Sequence, residues 1–188
     1  MSTDLLIHTA DDLFEMPNNG YRYELVQGVL RKMSPAGGEH GRISLFLGAS
    51  LLWHVEQNGL GAAYGAETGF KIAEHPDTVL APDVAFVAQE RIQEIPDERK
   101  YIPLVPDLAM EVLSPGDTER ESLAKADQWL SAGARAVILV NPRAQTVTVR
   151  RSGVQSVILT IEDKLEVPDI VPGWSIPVVR IFGKKMNK

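Results

Sequence analysis

Residues 106–141 read PDLAMEVLSPGDTERESLAKADQWLSAGARAVILVN, and this stretch decides the fold. It opens on an apolar run of strand length, Leu108–Leu113, and ends on another, Ala136–Val140. Between them Thr118, followed by a glutamate at the third position after it, is a capping-box signature that predicts a helix ending at Ala132. A strand, a helix and a strand in this order predict a parallel pair joined by a right-handed crossover.

Strands and helices also alternate on both sides of this stretch. The predicted elements are a short helix over 9–16, a hairpin over 23–33, a long helix over 40–57, strands over 64–72 and 79–88, and antiparallel strands over 146–151 and 157–161. No repeat or low-complexity linker divides them. We therefore expect an α/β fold that forms a single domain over residues 1–188.

Composition narrows the class of protein. With 44% hydrophobic and 23% charged residues among 188, the chain can bury a sizeable core. The absence of cysteine excludes disulfides, thiolate zinc sites and thiol nucleophiles. No apolar run approaches the roughly 18 residues of a membrane span, and no signal peptide is recognisable, so we expect a cytoplasmic protein. The net charge of −6 counts against a broad basic surface for nucleic acid, although a local basic groove remains compatible with it.

Two carboxylates stand in apolar strands. Glu111 has only apolar neighbours at the three positions before it and the two after it, and burying its charge is costly unless it is paired or bound to a metal. Asp83 opens a second apolar run, Val84–Ala88. The alternatives are an edge position or a buried arginine partner for Glu111, and a turn cap for Asp83. If the strands are neighbours, the two carboxylates face one side, where Mg²⁺ or Mn²⁺ would remove their repulsion.

Two further side chains are candidates for the same site. Lys125 can pair with Glu121 along the helix, or it can lean toward the sheet from the edge of the apolar helix face. His40 begins the long helix and is the one histidine that we place near a site, although a surface cap is an alternative explanation. The sequence has no Gly-rich phosphate loop, HExxH or Gly-x-Ser-x-Gly motif, which disfavours nucleotide-binding, zinc-protease and serine-hydrolase functions.

These motifs, taken in order, resemble the Uma2 family of restriction-endonuclease-like proteins in the PD-(D/E)XK nuclease superfamily. The resemblance covers nearly the whole chain. It is carried by Tyr23–Gly28, Met33–Pro35 with His40, Pro82–Val84, Pro106–Pro115, Lys125, Ala132–Gly133, Leu139–Pro142 and the closing segment from Pro172 to Phe182. It implies a restriction-endonuclease-like core of helix, three strands, helix and strand, with a mixed central sheet and added antiparallel hairpins.

The resemblance also implies roles for particular residues. Asp83 and Glu111 would hold Mg²⁺ or Mn²⁺, with the Val112 carbonyl as a further ligand. The superfamily's lysine two residues after the acid is Leu113 here, so the helix residue Lys125 would take its role and position or polarise the attacking water.

Glu24 matches a family position that could assist at the site, although a structural role in the hairpin is equally compatible with it. The substrate would be DNA, and a homodimer would be the simplest assembly for cutting both strands.

Two functions stay open at this point. The first is a metal-dependent endonuclease that hydrolyses DNA phosphodiester bonds, which the set of Asp83, Glu111 and Lys125 favours. The second is a catalytically inactive nuclease-like fold that binds nucleic acid or another protein, which the acidic net charge and Leu113 favour.

Overall fold

The strand, helix and strand of residues 108–141 form the middle of the molecule, with the other elements arranged around them. The computed structural model describes residues 8–17 and 20–183. In chain order the elements are α1 (Ala10–Phe14), β1 (Arg22–Val26), β2 (Val29–Met33), α2 (Gly38–Asn58), β3 (Gly61–Gly65), β4 (Phe70–Ala73), β5 (Thr78–Leu80), β6 (Val84–Ala88), a 3₁₀ turn (Gln89–Glu94), β7 (Leu108–Val112), α3 (Glu119–Ala132), β8 (Ala136–Asn141), β9 (Thr146–Arg151), β10 (Val154–Leu159), β11 (Lys164–Glu166), β12 (Ser175–Pro177) and α4 (Val178–Phe182).

The central sheet is mixed, as predicted. Its six strands lie in the order β10-β9-β8-β7-β6-β3. The β7–β8 pair is parallel, while the neighbouring pairs are antiparallel. The predicted capping box starts α3, because Thr118 accepts a hydrogen bond from the Glu121 amide and the Glu121 carboxylate accepts one from the Thr118 amide. The crossover that connects β7 to β8 through α3 is therefore confirmed.

A second sheet has the strand order β2-β1-β5-β4. Its hairpin, β1–β2, is the predicted one: Gln27 and Gly28 both have positive φ (50° and 74°), as a two-residue type I′ turn requires. The single strands predicted over 64–72 and 79–88 are wrong. Each divides into two strands that belong to different sheets, and the second breaks where Pro82, which has no amide hydrogen, cannot continue a ladder.

Each face of the six-stranded sheet carries its own hydrophobic core. Side chains alternate across the sheet, so Val84 and Met110 join the core under α2, whereas Ala85 and Ala109 join the core under α3 with Trp129. The C-terminal segment from Trp174 to Phe182 packs on the α2 side and so completes this chain's own core. Among the described residues, no helix combines the length and apolar character that crossing a bilayer needs.

The long helix α2 buries a narrower face than its sequence indicates. The pattern predicts that Leu52 and Trp53 widen the buried face, but these side chains are 41% and 70% exposed. The buried line runs through Ile43, Leu47, Leu51 and Val55, and Phe46 packs beside it, so only part of the predicted width is covered.

Candidate active site

Asp83 and Glu111 lie close together at the end of the β6–β7 ladder. Val84 pairs with Met110 as the last pair of the ladder; Asp83 directly precedes Val84, and Glu111 directly follows Met110. The Asp83 amide donates to the Met110 carbonyl at 3.0 Å, and the Val112 amide donates to Asp83 Oδ2 at 2.7 Å. The Asp83 carboxylate therefore contacts the backbone of β7 next to Glu111.

Helix α3 supplies two partners to Glu111. Lys125 Nζ lies 3.1 Å from Glu111 Oε2, and the Trp129 indole Nε1 donates to Oε1 at 2.9 Å. Lys125 and Trp129 are four residues apart and therefore share one face of the helix. Both carboxylate oxygens of Glu111 therefore have a partner on α3, and its side chain is only 12% exposed.

Glu24 reaches the same site from the second sheet. Its Oε1 lies 3.0 Å from Lys125 Nζ and accepts a hydrogen bond from the Ala81 amide at 3.0 Å. The alternative ion pair between Lys125 and Glu121 is absent among the described contacts, because the Glu121 carboxylate is engaged by Thr118 at the helix cap. Lys125 therefore leans toward the sheet and bridges two carboxylates.

His40, in the first turn of α2, contacts the Asp83 carboxylate. Its Nε2 lies 3.2 Å from Asp83 Oδ2, and its Nδ1 lies 3.4 Å from Ser44 Oγ, one turn further along α2. The side chains of His40 and Asp83 are each 14% exposed. The first turn of α2 thus points a histidine into the site, where the sequence left a surface cap as an alternative.

The site shifts the pKa of three groups. Burial raises the pKa of Glu111 to about 7, against the opposing effect of Lys125 and with a further rise from Asp83. Burial lowers the pKa of Lys125, but Glu111 and Glu24 together outweigh it, so the pKa lies above its usual value. The hydrogen bond to Asp83 raises the pKa of His40, which burial opposes. Lys125 is therefore a fixed cation, whereas Glu111 titrates near neutrality.

A cleft of about 740 Å³ contains these groups. Its lining includes Glu24, His40, Asp83, Glu111, Val112 and Lys125, together with Arg22, Arg31 and Lys32 of the hairpin and Asp117 and Glu121 at the start of α3. All six residues singled out from the sequence thus lie in one cleft.

The sequence did not reveal the hydrogen bond from Trp129. Its position one turn after Lys125 on the same helix face was the available signal. Leu113, which stands where the superfamily has its lysine, packs against the core under α3. Within the described ranges, no three His, Asp or Glu side chains come together as a ready set of metal ligands.

Comparison with known proteins agrees with this architecture. The fold is similar to that of a crystal structure from Anabaena variabilis described as a "putative nuclease belonging to DUF820", with a TM-score of 0.78 and 20% identity, covering 93% of this chain and 97% of that chain. The architecture is therefore that of a nuclease-like α/β fold. The family model of Uma2, described as "Putative restriction endonuclease", matches residues 10–179. This chain belongs to the Uma2 family, a restriction-endonuclease-like nuclease family. No curated protein matches the sequence.

Proposed function

We propose that this protein is a metal-dependent endonuclease that hydrolyses phosphodiester bonds of DNA, with Asp83, Glu111 and Lys125 as its catalytic residues. One observation carries the proposal: Asp83 and Glu111 line one open cleft, where Asp83 bonds to the amide of the residue after Glu111 and Lys125 Nζ lies 3.1 Å from Glu111. The membership in Uma2 supports nuclease chemistry in general.

The groups at the cleft suit Mg²⁺ or Mn²⁺. Asp83 Oδ2 is engaged by Val112 and His40, but Oδ1 has no hydrogen-bond partner among the described residues and is free to bind a cation. Magnesium is commonly held by one or two carboxylates, with water and substrate phosphate completing its shell, so Asp83 and Glu111 suffice. The Val112 carbonyl stays a predicted further ligand, and the Val112 amide already contacts Asp83. When bound, the cation would supply Lewis-acid stabilisation of the phosphate and activation of water.

The protein's own residues would fix the geometry of the reaction. Lys125 stays protonated, so it acts as a positive charge that orients water or stabilises a phosphate oxygen, and it does not act as a base. Glu24 holds Lys125 in place from the second sheet. His40 orients Asp83 by its contact with Oδ2.

Cleavage of supercoiled plasmid DNA by the purified protein tests this function. Wild type should nick or linearise the plasmid with Mg²⁺ or Mn²⁺ and should stop when EDTA is added. We expect Asp83→Asn and Lys125→Met to lose roughly a hundredfold or more in rate, the size typical of losing one electrostatic catalytic contact. Asp127→Asn is the matched control, because Asp127 lies on α3 but its carboxylate pairs with Arg150 outside the cleft. Equal rates for wild type and Asp83→Asn would contradict the proposal.

The second candidate function is a nuclease-like fold that binds nucleic acid or a protein without cutting. The specific observation in its favour is that Lys125 already makes ion pairs with both Glu111 and Glu24. Binding of DNA without metal-dependent cleavage in the same preparation would favour this function over the first.

Assembly and location are part of the same proposal. A two-fold homodimer would present two sites to the two strands of a duplex, and analytical ultracentrifugation would test it. The cytoplasmic location stays a prediction of the sequence that cell fractionation would test.

A further inference from the structure

The two walls of the cleft carry opposite charge. One wall is the β1–β2 hairpin, which contributes Arg31 and Lys32. The other is the start of α3, which contributes Asp117 and Glu121. On a protein of net charge −6, this separation gives the cleft a basic side and an acidic side.

The two hairpin cations are available to a ligand. Of the Arg and Lys residues in the described lining, Arg22 pairs with Glu67, and Lys125 is held by Glu24 and Glu111. Neither Arg31 nor Lys32 makes an ion pair with any described residue, and both are exposed. The Lys32 ammonium lies 3.0 Å from the centre of the Tyr21 ring, which positions it without neutralising its charge.

The register of the hairpin places Arg31 beside the proposed catalytic groups. Arg31 pairs directly with Glu24 across β1–β2, so the two side chains start from the same face of the sheet. Glu24 contacts Lys125, and Lys125 contacts Glu111. A guanidinium at this position can reach a phosphate next to the one that the carboxylates would engage, and its fork geometry suits phosphate oxygens.

The acidic wall offers no comparable contact. Free amides in the first turn of a helix can attract an anion. At the start of α3, however, the Glu121 carboxylate already accepts a hydrogen bond from the Thr118 amide. Asp117 likewise accepts from the Ser114 amide. A phosphate backbone along this wall would meet two carboxylates, whereas along the hairpin it would meet two cations. Charges on an edge strand such as β2 also discourage strand pairing, but that role does not require them to line the cleft.

We propose that Arg31 and Lys32 bind the phosphate backbone of duplex DNA, which enters the cleft along β2 and away from α3. This inference rests on the proposed function for its substrate. It assigns the two residues to substrate binding, so their loss should weaken affinity and leave the chemical step at saturating DNA nearly unchanged.

The experiment measures binding of a fluorescein-labelled DNA duplex by anisotropy, in an Asp83→Asn background without metal so that the probe stays intact. Arg31→Gln and Lys32→Gln should each weaken binding about fivefold to tenfold near 0.1 M salt and reduce the salt slope by about one, as expected for one lost phosphate contact. Arg120→Gln is the matched control, because Arg120 is exposed on the α3 side but is not part of the cleft lining. Lys164→Gln controls for a remote exposed cation.

Each outcome decides the proposal. A loss of affinity confined to Arg31→Gln and Lys32→Gln supports it. An equal loss in Arg120→Gln, unchanged binding in both hairpin variants, or no binding by the Asp83→Asn parent overturns it. Plasmid cleavage by the same variants in an otherwise wild-type chain separates the two proposals. If the protein cleaves DNA but binding does not depend on Arg31 and Lys32, only the binding role of these two residues is overturned. If binding depends on them but no cleavage occurs, only the catalytic function is overturned.

Discussion

Glu111 is a single residue whose apolar surroundings in the sequence already indicate a candidate site. An ionised carboxylate among apolar neighbours is costly, and the structure offsets that cost with the Lys125 ammonium and the Trp129 indole N–H. These partners do not fully compensate for burial, because the pKa of Glu111 still rises to about 7. A carboxyl that is half protonated near neutrality should bind a cation more tightly as the pH rises.

Replacing Trp129 with Phe tests how Glu111 is positioned. Trp129→Phe keeps an aromatic ring in the core but removes the N–H donor, which lowers the pKa of Glu111 in the native protein. The pKa of Glu111 should therefore rise further, and we expect the Mn²⁺ binding curve, measured by calorimetry from pH 6 to 9, to move to higher pH. The free energy of unfolding should fall by about 1.5–3 kcal/mol, the contribution of one hydrogen bond to a charged group.

Trp174→Phe is the control for this prediction. The Trp174 indole is also buried and donates to Ser50 Oγ at 3.3 Å, outside the cleft. A matching shift in the Mn²⁺ curve of Trp174→Phe would show that core loosening, and not the lost contact to Glu111, moves the binding.

At the scale of elements, α3 supplies two groups of the candidate site, Lys125 and Trp129, and its cap fixes the start of the helix that carries them. Thr118 and Glu121 close the first turn, and Lys125 and Trp129 follow on the face that meets the sheet. The cap also engages Glu121, which removes it as a competitor for Lys125. A local sequence signal therefore has a consequence for the site two turns away.

Thr118→Ala should lower both stability and cleavage rate. Losing the N-cap costs about 1 kcal/mol of the free energy of unfolding and frees Glu121 to pair with Lys125. Thr9→Ala removes the equivalent capping box of α1, which lies outside the cleft lining. We expect chemical denaturation to show a loss in both variants and plasmid cleavage to slow only in Thr118→Ala; equal cleavage by the two would contradict a link between the cap and Lys125.

At the scale of the whole molecule, the site joins two sheets. Glu24 belongs to the four-stranded sheet and Glu111 to the six-stranded sheet, and the segment from Ala81 to Asp83 passes from one to the other. Lys125 closes this junction through its contacts to both glutamates. A cation bound here would be linked to the folding of both sheets.

Mn²⁺ should therefore stabilise the folded protein as a whole. At a hundred times Kd, binding adds about 2.7 kcal/mol to the free energy of unfolding, which corresponds to roughly 5–10 °C in Tm for a chain of this size. Differential scanning fluorimetry should show this rise in wild type and little in Asp83→Asn. An equal rise in both proteins would place the bound cation elsewhere.

Local sequence signals predicted several of the elements and all of the candidate groups except Trp129. Capping boxes, a Gln-Gly turn and apolar periodicity are local, so α1, α3 and the β1–β2 hairpin follow from neighbouring residues alone. Glu111 was also visible locally, because the cost of its burial depends on the apolar run around it.

Which of these groups come into contact depends on the tertiary structure. The division of the strands between two sheets, the choice of Glu111 and Glu24 over Glu121 as partners of Lys125, and the contact from Trp129 all depend on packing between distant segments. The exposure of Trp53 could not be predicted for the same reason. The sequence pattern indicates how wide the apolar face of α2 is, but not how much of that face the neighbouring sheet covers.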